Sequence, residues 1–190
     1  MAGAATFFLP AIHDRPTGGN IYNRRVIEGL REGMSVDVRV HGRELFSRPL
    51  RDTGARARIG VVDSLLLHEM DRFGEWAGEL AVDRLILLVH YLHLVDPEHD
   101  VDPEARRERK YLSLFDQFVV TSHFVRRQLR LDGIADSDIS VIRPGIGTQF
   151  RRETEASAAA PPRILTVSSL LPGKGLHEGL ETLEMLDDGS

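Results

Sequence analysis

Short apolar runs alternate along the chain with segments of helical period. ATFFL (5–9) predicts a strand, and Asn20 to Glu32 predicts a helix with Ile21, Val26, Ile27 and Leu30 on one side. SVDVRV (35–40) alternates polar and apolar positions and predicts a second strand. ARIGVVD (57–63) predicts a third, and DRLILLVHY (83–91) a fourth that is apolar throughout its centre. Unbroken apolar centres suit strands covered on both faces, as in a parallel sheet. Pro103 to Phe115 predicts a helix with proline near its first turn. QFVVTS (117–122) predicts a fifth strand, with Ser122 capping a helix over His123 to Leu131, and ISVIRPG (139–145) a sixth strand. Strand and helix alternating at this spacing predict an α/β domain built on a doubly wound parallel sheet. Arg43 to Ala57 has no clear period, which keeps an α+β fold as the alternative.

The pattern then breaks. TQFRRETEASAAAPPR (148–163) combines small residues, charges and a Pro-Pro pair, the composition of a linker. RILTVSSL (163–170) predicts a new strand and GKGLHEGLETLEML (173–186) a new amphipathic helix. One strand and one helix cannot bury a core of their own. The expected organisation is a complete domain over 1–147, a linker over 148–162, and the opening βα unit of a second domain over 163–190.

Composition narrows the function more than the fold. A hydrophobic content of 42%, a charged content of 28% and a net charge of −5 describe an ordinary globular protein without a basic footprint for nucleic acid. No apolar run reaches membrane-spanning length, although peripheral contact with a membrane stays open, and the start of the chain does not read as a signal peptide. A cytoplasmic location is the expectation. With no cysteine there is neither a disulfide nor a thiolate-bound metal. His99, Asp100 and Asp102 form an acidic loop that reads as solvated rather than as a cation site. Lys110 and Lys174 are the only lysines in a chain that otherwise uses arginine, which draws attention to Lys174.

Two glycine-bearing strand-to-helix junctions carry the candidate chemistry. The first is TGGN, with Gly18 and Gly19, and the second is LLPGKG, with Lys174. In a parallel α/β sheet such turns lie at the carboxyl edge of the strands, where ligands bind. A helix N-terminus presents free N–H groups and about half a positive charge, which suits phosphate. Glycine lets a ligand press against bare backbone. Lysine at a helix start is unfavourable for the helix itself, so a local anion accounts for Lys174. Neither junction matches the dinucleotide fingerprint or the phosphate loop. Lying in different domains, they predict a ligand held between the two.

Four stretches in order give the chain a resemblance to the retaining, family-4-like glycosyltransferases of the GT-B group, which have two facing Rossmann-like domains. They are TGGNIYNRRVIEGLRE, LVHYLH, FDQFVVTSHFVRRQL followed by ISVIRPGI, and RILTVSSLLPGKGL. The resemblance implies transfer of a sugar from a nucleotide-sugar donor to an acceptor with retention of configuration and without a metal or other cofactor. It places Gly18, Gly19 and Lys174 at the donor diphosphate and His93 at the reaction centre. Asn20, Tyr22, His90 and Arg143 are expected to contact the acceptor or the transferred sugar, although Tyr22 could equally be core packing.

The chain departs from that pattern in two ways. Ser169 stands where the family commonly has an arginine that clamps the diphosphate with the lysine. The family's Glu-x7-Glu donor motif falls beyond Ser190, so the 190-residue chain is expected to be inactive alone, and its exposed domain face could dimerise. The competing expectation is a non-catalytic module of the same fold that binds a carbohydrate or a partner. A nucleotide-cofactor oxidoreductase is disfavoured, because the second strand ends in RVHG with no acidic residue.

Overall fold

The computed structural model describes residues 4–41, 59–69, 82–95, 103–147, 165–168 and 174–187. The chain divides into two compact units, Met1–Gly145 and Ile146–Ser190. The segment at 42–57, the acidic 99–102 loop, the linker at 148–162 and Ser169 lie outside the described residues.

In the first unit the strands are β1 (Ala4–Pro10), β2 (Ser35–His41), β3 (Ile59–Asp63), β4 (Arg84–Val89), β5 (Gln117–Val120) and β6 (Ile139–Val141). Among the described residues they form one sheet in the order β2-β1-β3-β4-β5-β6, and each neighbouring pair is parallel. The helices are α1 (Gly18–Arg31), α2 (Pro103–Leu112) and α3 (His123–Leu131), with short 3₁₀ turns at Ser64–Glu69, His93–Val95 and Asp136–Asp138. This is the Rossmann-like α/β sheet that the alternation predicts.

Period-two alternation sends successive strand residues to opposite faces and builds two cores. Phe7, Leu9, Val61 and Leu88 pack with Tyr22 and Ile27 of α1 on one face. Phe8, Val62, Leu87 and Val89 pack on the other with Ala105, Tyr111 and Leu112 of α2 and Leu129 of α3. The apolar centre of β4 thus feeds both faces, which is why it lacks polar positions. No described helix is long and apolar enough to cross a membrane.

Several boundaries differ from the sequence pattern. α1 begins at Gly18, two residues early, because Thr17 caps it: its Oγ1 accepts from the Asn20 N–H at 3.3 Å. Both glycines therefore lie in the first helical turn rather than in a loop before it. α2 ends at Leu112 rather than Phe115, where the chain turns through bonds from Leu114 N to Tyr111 O and from Phe115 N to Leu112 O. In the second unit α4 (Leu176–Asp187) is present, but residues 165–168 carry no regular structure, in contrast to the predicted strand. The remainder of that predicted strand, 163–164 and 169–170, lies outside the described residues.

Ser122 caps α3 as expected, its Oγ accepting from Val125 N at 3.2 Å. Ser122→Ala should lower stability by about 0.5–2 kcal/mol. A urea melt reads this directly, and an unchanged midpoint would mean the cap contributes nothing.

Candidate functional site

Because every strand pair is parallel, all the carboxyl ends emerge on one edge. The sheet order reverses at β1, which has β2 on one side and β3 on the other. Chain connections diverge at such a point and leave a crevice above the strand ends, where doubly wound folds hold ligands. The residues that follow β1, β3 and β4 meet there.

β3 ends in Asp63, which is 1% exposed, and runs straight into the Ser64–Glu69 turn. One Asp63 carboxylate oxygen accepts from Leu65 N at 2.9 Å and the other from Asn23 Nδ2 at 2.6 Å. Asn23 lies on α1, equally buried, and its Oδ1 is 2.8 Å from His90 Nε2. His90 directly follows β4, and its Nε2 is also 3.8 Å from Asp63 Oδ2. Ser64 Oγ accepts from the N–H of His90 at 3.1 Å, fixing the chain where it leaves the strand. Three junctions of the sheet are thus joined through polar side chains at one place.

Burial pushes His90 below the usual histidine range, while the attraction of Asp63 opposes the shift. The ring is therefore neutral at pH 7 and available for hydrogen bonding rather than as a fixed cation.

Gly19 lies against that ring. A Cβ built on Gly19 would stand 3.2 Å from both Cγ and Cδ2 of His90, closer than an ordinary carbon contact, whereas one on Gly18 would meet nothing within 4 Å. Gly19 is closely packed against the protein itself, so that an added Cβ would make the His90 ring shift. Gly18 leaves open space at the helix N-terminus.

The other sequence-predicted residues take different places. Tyr22 is buried with its ring edge-on to His90 (centroids 5.5 Å apart), and its hydroxyl donates to Ile142 O at 2.9 Å. Asn20, expected at the acceptor, instead braces the loop after β1: its Nδ2 donates to Ile12 O at 2.7 Å and to Arg15 O at 2.9 Å. An amide nitrogen has two protons, and both are committed, so Asn20 acts on the loop. His93 sits one short turn past His90, with its ring 5.1 Å from that of Tyr91. Arg143 is exposed two residues after β6, at the same sheet edge. Lys174 is exposed just before α4 of the second unit.

Sequence reading passed over Asn23, Asp63, Ser64 and Glu108. Glu108 is 1% exposed within α2, and its two oxygens accept from His93 N at 3.0 Å and Leu94 N at 2.9 Å. Its signal was present in the spacing. Ala105, Glu108, Tyr111 and Leu112 are the buried residues of α2 and recur at helical intervals, so this acid lies on the apolar stripe. Asp63 carried a weaker signal, as an acid closing an otherwise apolar strand.

No protein-family model matches the chain, and no curated protein matches it significantly. Among solved structures the chain is similar to the apo form of the lipopolysaccharide outer core galactosyltransferase WaaB, with a TM-score of 0.52 and 14% identity. That likeness covers 83% of this chain and 50% of the other, so the chain spans about half the length of the enzyme it matches. At this identity the likeness is one of fold alone: the chain shares with that structure a Rossmann-like α/β fold built on a parallel sheet.

Proposed function

We propose that the chain is the acceptor-side part of a glycosyltransferase that moves a sugar from a nucleotide-sugar donor to an acceptor with retention of configuration. The observation that carries this reading is the junction of Gly19, His90 and Asn23 at the reversal point of the sheet. A helix N-terminus, an uncrowded Gly18 and a neutral histidine meet where this fold holds ligands. The fold shared with a galactosyltransferase supports the same reading.

In this proposal the N–H groups at Gly18 and Gly19 approach the donor diphosphate or the reacting sugar, and His90 hydrogen-bonds the transferred sugar. His90 takes this place in preference to His93, because Gly19 packs on its ring and Asn23 fixes its nitrogen. Lys174 pairs with the diphosphate as negative charge develops on the leaving group, the form of stabilisation that contributes most in acyl and phosphoryl chemistry. No metal or other cofactor is required, and the protein works in the cytoplasm.

The test is transfer or donor hydrolysis by the full-length protein across a panel of nucleotide sugars. His90→Ala and Lys174→Ala should each lower turnover by about 10²-fold or more, with His93→Ala affected less. Absence of both turnover and donor binding across the panel would remove the proposal. Equal loss in the two histidine variants would return His93 to the centre.

A further inference from the structure

The polar network behind His90 determines which of its nitrogens faces a ligand. A carboxylate only accepts hydrogen bonds. Both Asp63 oxygens are engaged, one by Leu65 N and the other by Asn23 Nδ2. With its nitrogen turned to Asp63, the Asn23 amide presents its oxygen to His90, and a carbonyl oxygen only accepts. Nε2 of His90 must therefore carry a proton. A neutral imidazole has one such proton, so Nδ1 is left with a lone pair. Among the described residues nothing bonds Nδ1. Tyr22 meets the ring edge-on and Gly19 lies against Cγ and Cδ2, which fixes the ring plane.

We propose that Asn23 and Asp63 are positioning residues that lock His90 in its Nε2–H tautomer, so that Nδ1 is a dedicated acceptor at the candidate site. The ligand group that meets His90 is then a hydrogen-bond donor, a hydroxyl rather than a phosphate oxygen. The lock is a property of the folded chain, and only its consequence for sugar transfer rests on the function proposed above.

Nitrogen NMR of the histidine side chains tests the lock without substrate, with His90 assigned by comparison with His90→Ala. In the wild type, Nε2 should resonate as a protonated nitrogen and Nδ1 as an unprotonated one. Asp63→Asn keeps the shape but exchanges one acceptor oxygen for an NH2. If the remaining oxygen stays with Leu65 N, the new amide donates to Asn23, which turns its own nitrogen toward His90 and moves the ring proton to Nδ1. The expected result is an inverted tautomer. Asn23→Ala, which removes the contact altogether, should yield a mixture and serves where Asp63→Asn does not fold. A wild-type spectrum with the proton on Nδ1, or an unchanged tautomer in the folded variants, overturns the proposal. A protein inactive on every nucleotide sugar would count against sugar transfer while leaving this spectrum as decisive as before.

Discussion

Glu108→Ala should destabilise the first unit by about 2–5 kcal/mol, a large share of the ~5–15 kcal/mol that holds a typical domain together. The side chain lies almost wholly inside the core side of α2 and satisfies two neighbouring backbone N–H groups, those of His93 and Leu94. Removing it leaves both donors without acceptors, at about 1–3 kcal/mol each. Glu108→Gln should lie between, because the amide offers one oxygen and turns an NH2 toward the second donor. Guanidinium or urea melts give the answer as a fall in midpoint with unchanged slope. A loss within about 0.5 kcal/mol, typical of surface changes, would mean that the His93–Val95 turn is not built on this carboxylate. The turn begins three residues after His90, so its loosening should also blunt turnover in the surviving folded fraction.

The second large effect is at Gly19. A Cβ there falls 3.2 Å from two ring carbons of His90, so alanine moves the ring by a few tenths of an ångström. Gly19→Ala should leave stability nearly level, since helix propensity returns about 0.5–1 kcal/mol. Gly19→Val adds branched bulk at the same contact, with an expected loss of about 1–3 kcal/mol and about 10²-fold in turnover. Gly18→Ala is the matched control. Its Cβ meets no protein atom within 4 Å, so the fold should tolerate it or gain slightly. If turnover nevertheless falls in Gly18→Ala, the atom that is crowded belongs to a ligand. Full turnover in both Gly18→Ala and Gly19→Val would detach the glycine pair from function.

Much of the fold was legible because each strand of the first unit is a compact run, either apolar through its centre or alternating with period two, and each helix keeps its period. The sheet order was not, since hydrophobicity says nothing about which strand lies beside which, and the reversal at β1 emerges only in three dimensions. Residues 165–168 show the converse limit: LTVS has strand composition, yet it carries no regular structure. At the candidate site, the glycines and His90 could be found locally, because a turn and a strand end announce themselves. Asn23 and Asp63 are 40 residues apart in sequence and meet through a single hydrogen bond. Neither stands out alone, since an asparagine on a helix and an aspartate at a strand end are commonplace. Asn20 and Asn23 differ for a geometric reason. Both are buried on α1, but one turns back to the loop and the other inward to the strands.

The Tyr22–Ile142 hydrogen bond spans 120 residues, from the first helix to the segment just past the last strand of the sheet. A growing polypeptide makes Tyr22 early and its acceptor late. Until the β6 segment has emerged, the phenol on α1 has no carbonyl to meet, and the wall beside His90 stays unfinished. Completion of the unit during synthesis therefore waits on its final strand, and a nascent chain stopped before residue 142 should expose its first helix to exchange with solvent far faster than the finished one.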